Sequence, residues 1–139
     1  MKTVKYISTA AAVAAAMMSS EASAVAGSAS SGILSWVNPT QATDGSLLSN
    51  SITAARVTCS GIVISGVRSA CSLTPVLLSG TPTTYTVNYT FTNPVGGQIC
   101  WTVAVQIDNG QWSGESNEAC KTEAPAPKIP STPSSLTVR

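Results

Sequence analysis

The side chains able to do chemistry in this sequence are few. Beyond residue 24 the carboxylates are Asp44, Asp108, Glu115, Glu118 and Glu123, and the thiols are Cys59, Cys71, Cys100 and Cys120; the chain contains no histidine. Without histidine, no side chain of ordinary pKa is placed to exchange a proton near neutrality. Asp44 precedes Gly45 and Asp108 precedes Asn109-Gly110, positions where a short carboxylate closes a turn. Glu115 and Glu118 lie close enough in sequence to approach each other, yet a loop and a strand edge suit solvated charges better. A calcium site at Asp108-Asn109 would need a run of oxygen ligands that is absent. No phosphate loop, nucleophile elbow or metal motif is present. The sequence therefore predicts a protein that is not an enzyme, with no catalytic residue, cofactor or bound metal.

The thiols point to disulfide chemistry. An even number of cysteines in an exported chain reads first as bridges. Four cysteines allow three pairings, and spacing selects among them: Cys59 and Cys71 are symmetric about Ser65, and Cys100 and Cys120 about Gly110. Two hairpin-closing bridges account for all four. Zinc is disfavoured, because there is neither a histidine nor a C-x-x-C pair to hold it.

Export itself is read from residues 1–24. Lys2 and Lys5 precede the short apolar run Ile7 to Met18, and Ala22-Ser23-Ala24 fits a signal cleavage pattern. The run is too short to span a bilayer, and no later segment could do so. Cleavage removes two of seven basic and one of six acidic residues, leaving five of each and a neutral exported chain. Neutrality argues against nucleic acid as a partner, and against an electrostatic hold on a membrane surface. The expected location is extracellular.

The elements that position these groups read as strands. Ile99, Trp101, Val103, Val105 and Ile107 are apolar at every second position, a period that only a strand with one buried face can use. Asp108-Asn109-Gly110 turns the chain, and a return strand is expected over about Ser116 to Thr122. Tyr85, Val87, Tyr89 and Phe91 alternate in the same way. Ile33 to Val37, Ile52 to Cys59, Ile62 to Ile64 and Val76 to Leu78 are shorter β-rich runs, and Val25 to Gly32 reads as a flexible leader. Leu47-Leu48 is expected to tuck under the Thr40 to Ser51 loop. Six or seven short strands with no helical period beyond the signal predict an all-β sandwich, with Trp36 and Trp101 in its core.

Leu34-Ser35-Trp36, Asn38-Pro39-Thr40 and Asp44-Gly45, followed by Ile99-x-Trp101-x-Val103-x-Val105, Asn109-Gly110, Ser113 and Ser116-Asn117-Glu118, resemble the bacterial and phage type of fibronectin type III domain over about Gly32 to Thr122. The resemblance implies an immunoglobulin-like sandwich over 25–122. Two departures stand out: Ile99 occupies the place of a usual buried tyrosine, and two disulfides are not a general family feature. A third concerns the opening strand, which residues 25–32 do not supply in the family's pattern. That pattern occurs instead at Pro133-Ser134-Ser135-Leu136-Thr137-Val138, after the Pro-rich linker 123–133.

Three arrangements of the segment 134–139 stay open: an unstructured tail, a strand folded back on its own domain, or a strand donated to the next molecule. Folding back would stretch the linker to its limit, since Thr122 to Pro133 reaches at most about 35–40 Å. Donation needs only a short linker, and it builds an open filament because a head-to-tail contact does not close. The expected function is an exported structural subunit of an extracellular or surface assembly, a homopolymer joined through Leu136 and Val138. The alternative is a small secreted binding or adhesion module that uses the Trp112 loop for a protein or carbohydrate, as an exposed tryptophan in a loop can anchor a partner.

Overall fold

A computed structural model of the chain describes residues 17–18, 29–125 and 130–139. The basic start of the chain, the expected cleavage site and residues 126–129 of the linker lie outside the described residues. Eight strands follow in order: β1 Met17–Met18, β2 Ala29–Ser35, β3 Ile52–Ile64, β4 Val67–Ser69, β5 Val76–Ser79, β6 Thr84–Thr90, β7 Gly97–Ile107 and β8 Ala119–Glu123. There is no helix among the described residues. One sheet has the order β1-β2-β6; the other has β4-β3-β7-β8, with β5 also paired to β3. Every pairing is antiparallel.

Period-two patterning places the core between the two sheets. Ile99, Trp101, Val103, Val105 and Ile107 of β7 are buried, as are Ala55, Val57 and Cys59 of β3. Leu34 of β2, Val87 and Tyr89 of β6, and Trp36 and Phe91 just beyond those strands meet them from the other side. The Tyr89 and Trp101 rings tilt together with centroids 6.0 Å apart. Each fully buried aliphatic side chain contributes roughly 1.5–3 kcal/mol, so this double row carries most of the driving force. The architecture is an all-β sandwich of two antiparallel sheets around one core.

Several elements differ from the sequence expectations. The stretch 25–32 is not wholly a flexible leader, because β2 begins at Ala29 and pairs from Ala29↔Thr90 to Ser35↔Thr84. Its small residues Ser30 and Gly32 face inward, where β6 supplies the bulk. Ile52 to Cys59 and Ile62 to Ile64 are one thirteen-residue strand; Ser60-Gly61 is a register shift against β7 rather than a break. β4 was not expected. It returns from β3 through Ser65 and Gly66, both at positive φ (51° and 77°), the requirement of a two-residue hairpin turn. β8 starts at Ala119 rather than near Ser116; before it Ser113 and Ser116 bond β7 only at single points, each main-chain N–H donating to the carbonyl of Val105 or Val103 while the side chain accepts in return. The Ser116 Oγ accepts from Val103 N and the Ser113 Oγ from Val105 N, each at 2.9 Å. Of the Leu47-Leu48 pair, Leu48 packs against the core while Leu47 is 77% exposed.

Gly97, at φ +152°, opens β7 at a tight crossing. A Cβ there would sit 2.5 Å from the Val63 carbonyl oxygen, a backbone atom that cannot step aside. Gly97→Ala is expected to cost about 2–3 kcal/mol. Gly110→Ala, where a Cβ meets nothing within 4 Å, is expected to cost only about 1 kcal/mol for its positive φ. Urea unfolding of the two variants checks the difference.

Candidate functional site

The edge of β2 remote from β6 is the site with the most unusual construction. Among the described residues only β1 pairs along it, through Met17↔Ser35 and Met18↔Leu34. The described pairs take up two positions of a seven-residue strand, and a strand edge that lacks a partner is a template for another chain. The segment that resembles an opening strand lies apart. Residues 130–139 belong to no strand, and Leu136 and Val138 are 95% and 96% exposed. Among the described residues the tail therefore does not fold back onto its own domain.

Close to this edge the two sheets are latched by polar side chains. Glu123 of β8 is 1% exposed, and its Oε1 accepts hydrogen bonds from Ser30 Oγ at 2.9 Å and Tyr89 OH at 2.5 Å. Its Oε2 has no hydrogen-bond partner. Lys121, also buried, donates from Nζ to the Ser31 carbonyl of β2. Burial first, and the hydrogen bond to Glu123 second, hold the Tyr89 hydroxyl well above the ordinary tyrosine range, so Tyr89 stays a donor at any pH the fold meets. The sequence marks Glu123 only as one of the carboxylates and Tyr89 only as an alternating strand residue, and gives neither Ser30 nor Lys121 a role. The signal was nevertheless there: Ala119, Lys121 and Glu123 share one face of a strand whose other face carries Cys120 and Thr122.

Trp112 is placed by Gln106, with which it forms an isolated bridge. It is half-buried, and the Arg56 guanidinium lies 4.7 Å from the centre of its ring. Arg56 also pairs with Glu115 at 2.9 Å. Glu118 takes both nitrogens of Arg68, at 2.8 and 2.6 Å, and that hydrogen-bonded guanidinium holds the Glu118 carboxyl below the usual carboxylate range. Glu115 and Glu118 thus serve separate arginines instead of forming a carboxylate pair. Asp44 accepts from Ser46 N and Oγ and closes its turn; Asp108 accepts from Asn50 across the loop at 2.8 Å.

Both expected disulfides are present, Cys59–Cys71 and Cys100–Cys120, with Cα separations of 5.8 and 4.0 Å. Cys100, Glu118 and Cys120 lie close together, but the two sulfurs are bonded to each other and offer no thiolate to a metal. A cleft of about 500 Å³ opens beside Cys71, lined by Ile62, Ile64, Leu73, Phe91 and Ile99, and no acid, base or free thiol lines it. Two disulfides fit a non-reducing, extracellular setting. No helix among the described residues is long and apolar enough to cross a membrane.

The geometry defines a class, a disulfide-stapled all-β sandwich of two antiparallel sheets. Comparison with protein-family models, curated proteins and solved structures finds no match for this chain.

Proposed function

We propose that this chain is an exported structural subunit with a fibronectin type III-like sandwich, joined to further copies by its C-terminal segment. One observation carries the reading: Leu136 and Val138, two residues apart as in a strand with one buried face, stand almost wholly exposed while β2 has an edge paired, among the described residues, at two positions. The export signal pattern and the two disulfides support an extracellular site of action. Each subunit would complete the first sheet of its neighbour, and the linker after β8 would set the repeat. The Trp112 loop has less support as a binding surface, since Arg56 already lies over the indole ring.

Sedimentation velocity of the exported chain at several concentrations tests the reading. A ladder of oligomers is expected, lost on deletion of 131–139 and on the double substitution Leu136→Asp and Val138→Asp. Oligomers that persist in both variants would remove the C-terminal segment from the assembly.

A further inference from the structure

The only strand among the described residues that pairs with the remote edge of β2 comes from the apolar run near the start of the chain. We propose that Met17 and Met18, at the end of this run, cover the acceptor edge of β2 until the leader is cleaved, and so hold the uncleaved chain back from assembly. The inference rests on the strand-donation reading and adds to it the event that starts assembly.

Position supplies the first argument. Met17 and Met18 lie upstream of Ala22-Ser23-Ala24, so cleavage there would remove β1 whole and bare the edge it covers. Register supplies the second. The core-facing residues of β2 are Ser30, Gly32 and Leu34, and a residue paired opposite Leu34 shares its face. An antiparallel segment with Leu136 opposite Leu34 sets Val138 opposite Gly32, on the same core-facing side of β2. Met18 already holds the position opposite Leu34, so leader and donor exclude each other. A tethered cover acts at any concentration, so while the leader is attached the donor's affinity falls in proportion to the fraction of open edge.

The test uses the full uncleaved chain, the same chain carrying Met17→Pro and Met18→Pro, and the chain beginning at Val25. Proline removes the main-chain donor that an antiparallel ladder needs. Binding of a fluorescein-labelled peptide of residues 131–139 is followed by anisotropy, with a peptide bearing Leu136→Asp and Val138→Asp as control. The proline variant and the Val25 chain are expected to bind the native peptide at least about tenfold more tightly than the uncleaved chain, with no binding of the control. Equal binding by all three forms would overturn the cover while leaving strand donation intact. Binding by none of them would overturn both. If the Val25 chain is unfolded alone, its refolding on addition of the peptide supports the proposal, and failure to refold counts against it.

Discussion

Reduction of both disulfides is expected to lower the thermal midpoint of the protein by at least about 25 °C. The bridges join residues 12 and 20 positions apart, and closing loops of that size removes unfolded-chain entropy equivalent to about 3 kcal/mol each. Their sum, about 6 kcal/mol, is comparable to the whole stability of a small domain. At about 4–8 °C per kcal/mol, the shift follows. The two bridges are unequal. Cys100 is 0% exposed and directly opposite Cys120 in the β7–β8 ladder, so replacing both by alanine also leaves a void. Cys59 is buried in the core as well and Cys71 is half-exposed, so that pair leaves a void too, and the bridges differ mainly in loop length. The pair Cys100→Ala and Cys120→Ala should therefore fall further than Cys59→Ala and Cys71→Ala, by about 0.5 kcal/mol. Circular dichroism melting with and without reductant measures all four states, and a fully reduced protein that melts within about 5 °C of the oxidised one would show that the bridges join segments already fixed by packing.

The second large effect is at Glu123. Alanine there leaves the Tyr89 and Ser30 hydroxyls buried without their acceptor, and an expected loss of about 3 kcal/mol follows from the cost of unpaired buried donors. Glutamine keeps an acceptor oxygen in place for both hydroxyls, so Glu123→Gln is expected to stay within about 1 kcal/mol of the parent. A pH dependence accompanies this pair. Because the Tyr89 hydroxyl ionises at higher pH in the folded protein than in the unfolded chain, the folded state holds one more proton above the ordinary tyrosine value. That stabilisation is complete below about pH 10 and is lost as pH rises further, with a slope of at most about 1.4 kcal/mol per pH unit. Urea midpoints at pH 9 and pH 11 should differ more for the parent than for Tyr89→Phe. Equal differences would place the alkaline sensitivity elsewhere.

What could be read from the sequence follows a physical division. β7 was legible because five apolar residues alternate without interruption, and the disulfide pairing because each cysteine pair is centred on a turn. β2 was only half legible: Ala29 to Gly32 owe their extended form to pairing with β6, and small residues leave no hydrophobic trace of it. Ser60-Gly61 resembles a chain break and instead accommodates a shift of register. The latch escaped notice because Lys121 and Glu123 are residue types that belong in water, although their period-two relation to Ala119 already turned them inward. The cover over β2 was hidden for another reason, since an apolar run that fits an export signal invites no question about what else it touches.

The Cys100–Cys120 bridge has a mechanical consequence. A pull on the C-terminal segment enters the domain through β8, and the hydrogen bonds of Lys121 to Glu123 can be unzipped one after another. Peeling stops at Cys120, where the force passes through a covalent link into β7, an inner strand of the larger sheet. Tension along a string of such domains would lengthen the connectors and leave each sandwich closed.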